Sequence, residues 1–479
     1  MKENTKQIVI FIVLFVFLAG SFFAARLRLY PESLKLEEGI FAELIVHHSV
    51  GPKYCMIGRI DGEKIYVLSG HPAGLYELLR FGGKLVSDRF LKPVYQNDAL
   101  ITPRLRIFCS LYQLFFWVFL LIAVFRFKFV HRVGAIMLLF VAMLSPLAIK
   151  VSTDLQTDNT AGVVFCGAGA LLFVLAVLGT RQKTIQTLLL LGGGILAGLG
   201  KQEWSFALLP AIFLTGLYLF IRKGKIGPVS PVPLYFITAG LLVGNLASYL
   251  LDPENYLEGI FFMLKLSNMT SLSQTSWSFS RWLDIMSFRL PFLPILLILI
   301  LLIVCSILKE KSMPDPVLCV TALFGCFLFV GYILSEHSAK LRYFAPSLTV
   351  LTVAAIALLP APMPGWYRRV FAGCLAVVLL TTAVFLYGCG PDRNESLEWI
   401  QSGQYQPQDS VVLHIDDAAV WNKPAFDYII KNLNYENSKQ ILSARYGKTL
   451  VSREELAGIK SGDSPESSGL DFIPLELTQ

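Results

Sequence analysis

Charged side chains make up only 16% of this 479-residue chain. Four groups of them at the borders of its long apolar runs could carry chemistry. Glu37 and Glu38 follow the first run. Lys150, Asp154 and Asp158 lie between the third and fourth. Lys201 and Glu203 lie between the fifth and sixth, and Lys340 and Arg342 precede the tenth. Ionisable groups at a membrane edge are costly, so each carries a functional hypothesis by default. Acids beside bases at headgroup level suit one chemistry well, the breaking of a sugar–phosphate bond on a lipid carrier. A carboxylate takes the proton of the attacking hydroxyl, and cations stabilise the phosphate as it leaves. A general base, phosphate clamps and a lipid groove are the parts required.

The elements that must position these groups are transmembrane helices. Spanning the hydrocarbon takes about 20 apolar residues. The first such run is 8–25, with Lys2 and Lys6 before it. It also has the makings of a signal peptide, but its length and the lack of a small-x-small site before Arg26 favour a retained anchor. Further runs cover 107–125, 133–149, 160–179, 185–200, 204–221, 232–251, 288–308, 317–335, 343–361 and 370–389. The expectation is an all-α polytopic membrane protein with about eleven transmembrane helices. Hydrophobic residues are 54% of the chain.

Lys and Arg set the orientation. With the N-terminus in the cytoplasm, every inside loop is short and basic: Arg126-Lys128-His131-Arg132, Arg181-Lys183, Arg222-Lys223-Lys225, Lys309-Lys311 and Arg368-Arg369. The net charge of +7 is thus a topology signal and not a nucleic-acid surface. The four charged groups above then meet on the extracytoplasmic face. Three longer segments share that face: 27–105, 252–286 and the tail from Gly390. In the tail, Ser410–Ile415 reads as a strand and Pro424–Leu433 as a helix, a small α/β appendage whose end from Ser461 is polar. Residues 1–389 form the membrane domain and 390–479 the extracytoplasmic one. The plasma membrane of a bacterium is the expected location.

Other residue groups have simpler readings. The eight cysteines are scattered, mostly within apolar runs, and read as small core hydrophobes. His47 and His48 are adjacent, so on a helix they diverge and make a poor metal pair. No metal site stands out, although the sequence leaves a divalent metal open. The Gly-rich run 191–200 sits in an apolar run, not after a strand, and reads as a helix-packing surface and not a nucleotide loop. Trp277, Trp282 and Trp366 read as interfacial aromatics, the first two with sugar stacking as an alternative.

Several short motifs resemble the GT-C glycosyltransferases, in particular the superfamily of protein O-mannosyltransferases and aminoarabinose lipid A transferases. Leu36-Glu37-Glu38-Gly39-Ile40-Phe41-Ala42 resembles the acidic motif of that family's first outer loop, with Glu in place of the usual Asp at the first acidic position. Gly70-His71-Pro72-Ala73-Gly74-Leu75-Tyr76 stands where the family has Lys-Pro-Pro before an amphipathic helix, with His for Lys and a single Pro. Arg104-Leu105 is similar to its Arg-Leu at the second helix. Ser145-Pro146 and Thr157-Asp158 match its Ser-Pro and Thr-Asp, although Ser152-Thr153-Asp154 stands where the family has Arg. Gly198-Leu199-Gly200-Lys201 with Pro210, and Arg342-Tyr343-Phe344-Ala345-Pro346, complete the resemblance over residues 10–360.

The resemblance implies transfer of a sugar from a polyprenyl-phosphate donor to a hydroxyl of an extracytoplasmic lipid, glycan or protein, with inversion. Glu37 or Asp158 would be the base, with Glu38 as a further acid of the motif. Lys201, Arg342, Arg104 and His71 would hold the donor phosphate, with Asp154 and Tyr343 as accessory residues. The absence of a nucleotide-sugar motif agrees with a lipid-linked donor. Two alternatives stay open. A transporter or flippase would show a repeat and helices broken near the midplane, and the sequence displays neither. An inactive scaffold on the same fold is the other, given the departures at Glu37 and His71.

Overall fold

The computed structural model describes residues 2–30, 45–46, 54–60, 63–68, 73–94, 98–126, 132–155, 162–221, 230–253, 256–257, 260, 292–309, 315–334, 341–359 and 365–388. The chain forms two compact units. One comprises Met1–Arg28, Gly70–Leu75 and Phe108–Gly390. The other comprises Leu29–Ser69, Tyr76–Ile107 and Pro391–Gln479.

The first unit is a helical bundle. Its helices in chain order are α1 (Lys2–Ala24), the greater part of α3 (Asp98–Arg126), α4 (Arg132–Met143), α5 (Pro146–Thr153), α6 (Ala168–Leu178, preceded by a π turn at Val163–Gly167), α7 (Lys183–Leu199), α8 (Gln202–Ile221), α9 (Val232–Leu251), α10 (Phe292–Lys309), α11 (Pro316–Leu334), α12 (Ala345–Ala357, entered by a 3-10 turn at Leu341–Phe344) and α13 (Gly365–Gly388). Ten of the eleven apolar runs expected from the sequence overlap one of these helices each, and the third is divided between α4 and α5. Five of them are long and apolar enough to cross a membrane, or six if the bent pair α4–α5 is one span; five further apolar helices are shorter.

Helix α12 is the centre. Every residue from Ala345 to Ile356 is buried, as expected of a helix apolar all round. Its polar residues do not break the pattern, because Ser347, Thr349 and Thr352 hydrogen-bond carbonyls of their own preceding turn. Around it, α11 packs on α8 and α12, and α6 on α7. The tightest pair is α7 with α9, and glycines explain it. A Cβ at Gly194 would lie 2.4 Å from Ile237 O, one at Gly198 2.5 Å from Leu241 O, and one at Gly240 2.3 Å from Leu191 O. The two backbones touch, as small residues allow in membrane helices. The Gly-rich run is thus a packing surface.

The third run departs from expectation. The sequence reads as one helix over 133–149. The structure breaks it at Leu144-Ser145 and bends it by 54°. Ser145 is the cause. It is extended (φ −64°, ψ 148°), its Oγ accepts from Ala148 N, and Pro146 opens α5 at a position where a missing N–H costs nothing. Inside a membrane, a break leaves carbonyls that water cannot reach. Here they are taken up locally: Leu144 O accepts from Thr382 Oγ1 at 2.8 Å, and Ala142 O from Ser145 Oγ at 2.8 Å.

The second unit holds an antiparallel hairpin, β1 (Tyr54–Ile60) and β2 (Glu63–Leu68), with an irregularity between Met56 and Gly58. The sequence reading assigned no strand there, although Asp61-Gly62 between two β-prone stretches is a strong hairpin signal. Helix α2 (Ala73–Val86) follows and is mostly in this unit. It buries Leu79 and Gly83 one turn apart while Phe81 and Leu85 stay exposed, the amphipathic pattern the family resemblance implied there. Gly83 lies directly on the Ile45 backbone, and Ser87 donates to Val46 O. The expected C-terminal α/β appendage lies outside the described residues.

Candidate active site

The site-forming part of the bundle begins where α7 ends. Gly200 closes α7 with extended backbone (ψ −158°). A Cβ there would lie 2.0 Å from Trp204 Cε3, so only glycine lets the indole fold over the break. Lys201 occupies the gap between α7 and α8, and its carbonyl accepts from Trp204 N at 3.0 Å. Lys201 is only 6% exposed. Its Nζ stands 5.5 Å from the centroid of the Tyr343 ring, within the range of a cation–π contact.

Tyr343 belongs to the 3-10 turn Leu341–Phe344 that leads into α12. It is buried and stacks on Tyr332 of α11, with centroids 5.7 Å apart and planes at 25°. Phe344 closes the same corner edge-on to Phe329 and Tyr332. The Tyr332 hydroxyl donates to Glu203 Oε2 at 3.1 Å and accepts from Trp204 Nε1 at 3.2 Å. Lysine, two stacked tyrosines, a tryptophan and a carboxylate thus form one connected cluster, drawn from the start of α8, the end of α11 and the turn before α12.

Helix α5 packs against the same turn. Asp154 caps its C-terminal end in extended conformation, its N–H bonded to Val151 O at 3.2 Å. Of the residues expected from the sequence, Lys201 and Tyr343 are therefore brought into contact, and Asp154 ends a helix that packs against the Tyr343 turn. Arg342 lies in that turn, next to Tyr343; its side chain is outside the described residues. Arg104 belongs to the second unit, where its Nη1 donates to Phe90 O at 2.6 Å and its guanidinium lies 5.1 Å from the Phe90 ring centroid. Glu37, Glu38, His71 and Asp158 lie outside the described residues. Among the described residues, no group of three His, Cys, Asp or Glu side chains is placed to hold a metal ion.

The sequence reading missed Tyr332 and Trp204, which have no signal beyond aromatic residues in apolar runs. It noted Glu203 as a charge without assigning it a role. A second polar group lies nearby on α8 and α9. Asn245 bonds Ser205 and the Tyr256 hydroxyl, the latter at 2.9 Å, and Gln202 Nε2 donates to Tyr256 O at 3.0 Å.

Chemically, a buried ammonium at a helix break, held against an aromatic face, has the charge and the low-dielectric surroundings that an anion receptor requires. Burial removes competing water, so a phosphate oxygen gains more there than at a solvated lysine. The flanking hydroxyl and carboxylate add hydrogen-bonding capacity beside it.

No family model matches this chain, and no curated protein matches its sequence. Among solved structures, the oligosaccharyltransferase of Archaeoglobus fulgidus in the apo form matches with a TM-score of 0.51 at 12% identity, covering 96% of this chain and 62% of that one. The archaeal oligosaccharyltransferase AglB from the same organism, in complex with an inhibitory peptide and a dolichol-phosphate, matches with a TM-score of 0.50 at 12% identity, covering 96% and 61%. ArnT from Cupriavidus metallidurans bound to undecaprenyl phosphate is less similar, with a TM-score of 0.46 at 14% identity over 98% of this chain and 90% of that one. The chain therefore spans less than two thirds of the length of the oligosaccharyltransferase. At such identity the likeness is one of fold: the chain is an integral membrane protein that shares the fold of the archaeal oligosaccharyltransferase.

Proposed function

We propose that the chain is a membrane glycosyltransferase that moves a sugar from a polyprenyl-phosphate donor to a hydroxyl of an extracytoplasmic lipid, glycan or protein. The observation that carries this reading is the buried Lys201 ammonium against the Tyr343 ring, at a helix break and beside the turn that also holds Arg342. The fold neighbour AglB binds a dolichol-phosphate, which is the class of donor proposed here. In the reaction, the acceptor oxygen attacks the anomeric carbon from the face opposite the phosphate. The bond from that carbon to the phosphate oxygen breaks, its electron pair goes to the phosphate, and configuration inverts. Glu37 or Asp158 takes the hydroxyl proton, with Glu38 as the second acid of its motif. Lys201 and Arg342 hold the leaving phosphate, aided by Arg104 and His71. Asp154 and Tyr343 shape the pocket, and the network of Tyr332 and Glu203 fixes the Tyr343 ring.

The broken third span is the one observation that favours a transporter, since broken helices line transport sites. Its carbonyls argue otherwise. Those of Ala142, Met143, Leu144 and Ala148 each accept a hydrogen bond from a protein side chain, which supports a structural role for the break over a solute path.

The test is donor turnover in membranes of the native host, followed as release of free polyprenyl phosphate from labelled lipid-linked sugars. Glu37→Gln, Glu38→Gln, Asp158→Asn and Lys201→Ala are compared with wild type. Release that depends on these residues is the expected result. Release no greater than from membranes lacking the chain, across several lipid-linked sugars, would refute the transferase reading.

A further inference from the structure

Arg26 follows the first apolar helix and is fully buried. A guanidinium out of water must find partners for its five donors, and among the described residues these include two groups. On the helix before it, Nη1 donates to Phe22 O at 2.9 Å, and the guanidinium carbon lies 3.6 Å from the Phe22 ring centroid. Others reach the break in the third span. Nη2 donates to Met143 O and to Ala148 O, each at 3.2 Å, and Nε donates to Ser152 Oγ. Met143 is the last residue of α4, and Ala148 and Ser152 lie in α5. One side chain therefore bonds both sides of the bend and the far turn of α5. Thr382 of α13 holds Leu144 O between them.

We infer that Arg26 is a positioning residue: it fixes the angle of α5 and so sets where the chain end carrying Asp154 stands against the Tyr343 turn. This rests on the transferase reading for its catalytic consequence, but not for its structural content. The planar fork is what the role requires. Lysine keeps the charge yet presents its donors from one point, and cannot span Met143 O, Ala148 O and Ser152 together. Helix α5 would then move by a fraction of its present tilt without unfolding the bundle. Displacements near 1 Å in catalytic geometry lower turnover by about a hundredfold.

The experiment pairs two readouts on Arg26→Lys. The first is donor turnover per folded protein. The expected result is a kcat lowered by about ten- to a hundredfold, with the donor KM changed less than about threefold, because Lys201 and Tyr343 lie on other elements. An unchanged kcat, or a change confined to KM, would overturn the inference. The second readout needs no activity. Cysteine is placed by Lys150→Cys on α5 and, as a control, by Tyr387→Cys on α13. Maleimide labelling of the purified protein in detergent is followed at each position by peptide mass. Adding Arg26→Lys should change the rate at position 150 by about fivefold or more and leave position 387 unaltered. Equal rates at position 150 with and without Arg26→Lys would overturn the inference whatever the turnover assay reads. If wild type shows no turnover and labelling still changes at position 150, the transferase reading fails and the hold of Arg26 on α5 stands.

Discussion

At the scale of single residues, the cluster around Lys201 makes sharp demands. Lys201→Met keeps the volume of the side chain and removes its charge. If the ammonium stabilises the departing phosphate, kcat/KM for donor turnover should fall by about a hundredfold or more, while thermal stability in detergent changes little. Tyr343→Phe keeps the ring under the cation and should retain most activity; Tyr343→Leu removes it and should lose several-fold. The two variants together separate an aromatic role from a hydroxyl role. Tyr332→Phe tests the supporting network. It deletes the hydroxyl that accepts from Trp204 Nε1 and donates to Glu203. Leaving a buried indole N–H without its acceptor costs on the order of 1–3 kcal/mol, readable as a lowered Tm of the purified protein.

At the scale of elements, two devices shape the site. The first is the contact of α7 with α9, where glycine brings backbone against backbone. Gly194→Leu or Gly240→Val forces a side chain onto an opposing carbonyl and should separate the helices, destabilising by at least about 1–3 kcal/mol. Since Lys201 directly follows α7, activity should fall with stability in these variants. A surface change on the same helix, such as Leu188→Ala, should alter neither. The second device is the broken span. Thr382→Val leaves Leu144 O without the bond that α13 now gives it, a loss of about 1–3 kcal/mol that should appear as a lower Tm. Ser145→Ala removes the cap at the start of α5 and should cost about 1 kcal/mol.

At the scale of the whole molecule, charge placement and fold make a joint prediction. The basic loops at 126–132, 181–183, 222–225, 309–311 and 368–369 predict that all five share the cytoplasmic side. A reporter active only outside the cytoplasm, fused after Gln479, should therefore be active, and one fused after Arg181 should be silent. The reverse pattern would place Lys201 and Tyr343 on the cytoplasmic side, where a lipid-linked donor would have to be presented from the other leaflet. The buried Lys201 cluster at the ends of helices, and not at their middles, is what the proposed reaction needs, since the donor phosphate resides at headgroup depth.

Sequence alone determined the helices. Runs of about 20 apolar residues leave a chain in lipid few options, because each backbone polar group must be satisfied within its own segment. Among the described residues, hydropathy therefore found the apolar core of most helices of the bundle, although it joined α4 and α5 into one and missed the first turns of α1 and α3; the Gly-rich run was legible as a packing surface. Lys201 and Tyr343 were legible as members of short motifs, although 142 positions part them. Their contact was not legible, because it depends on how α8, α11 and the turn before α12 stack. Nor was the bend in the third span, since Ser145-Pro146 is compatible with a continuous helix until other elements supply donors for the carbonyls it frees. Arg26 looked like the end of an anchor. Only the tertiary structure turned it inward, because the broken span offers the carbonyls that make burying a guanidinium affordable.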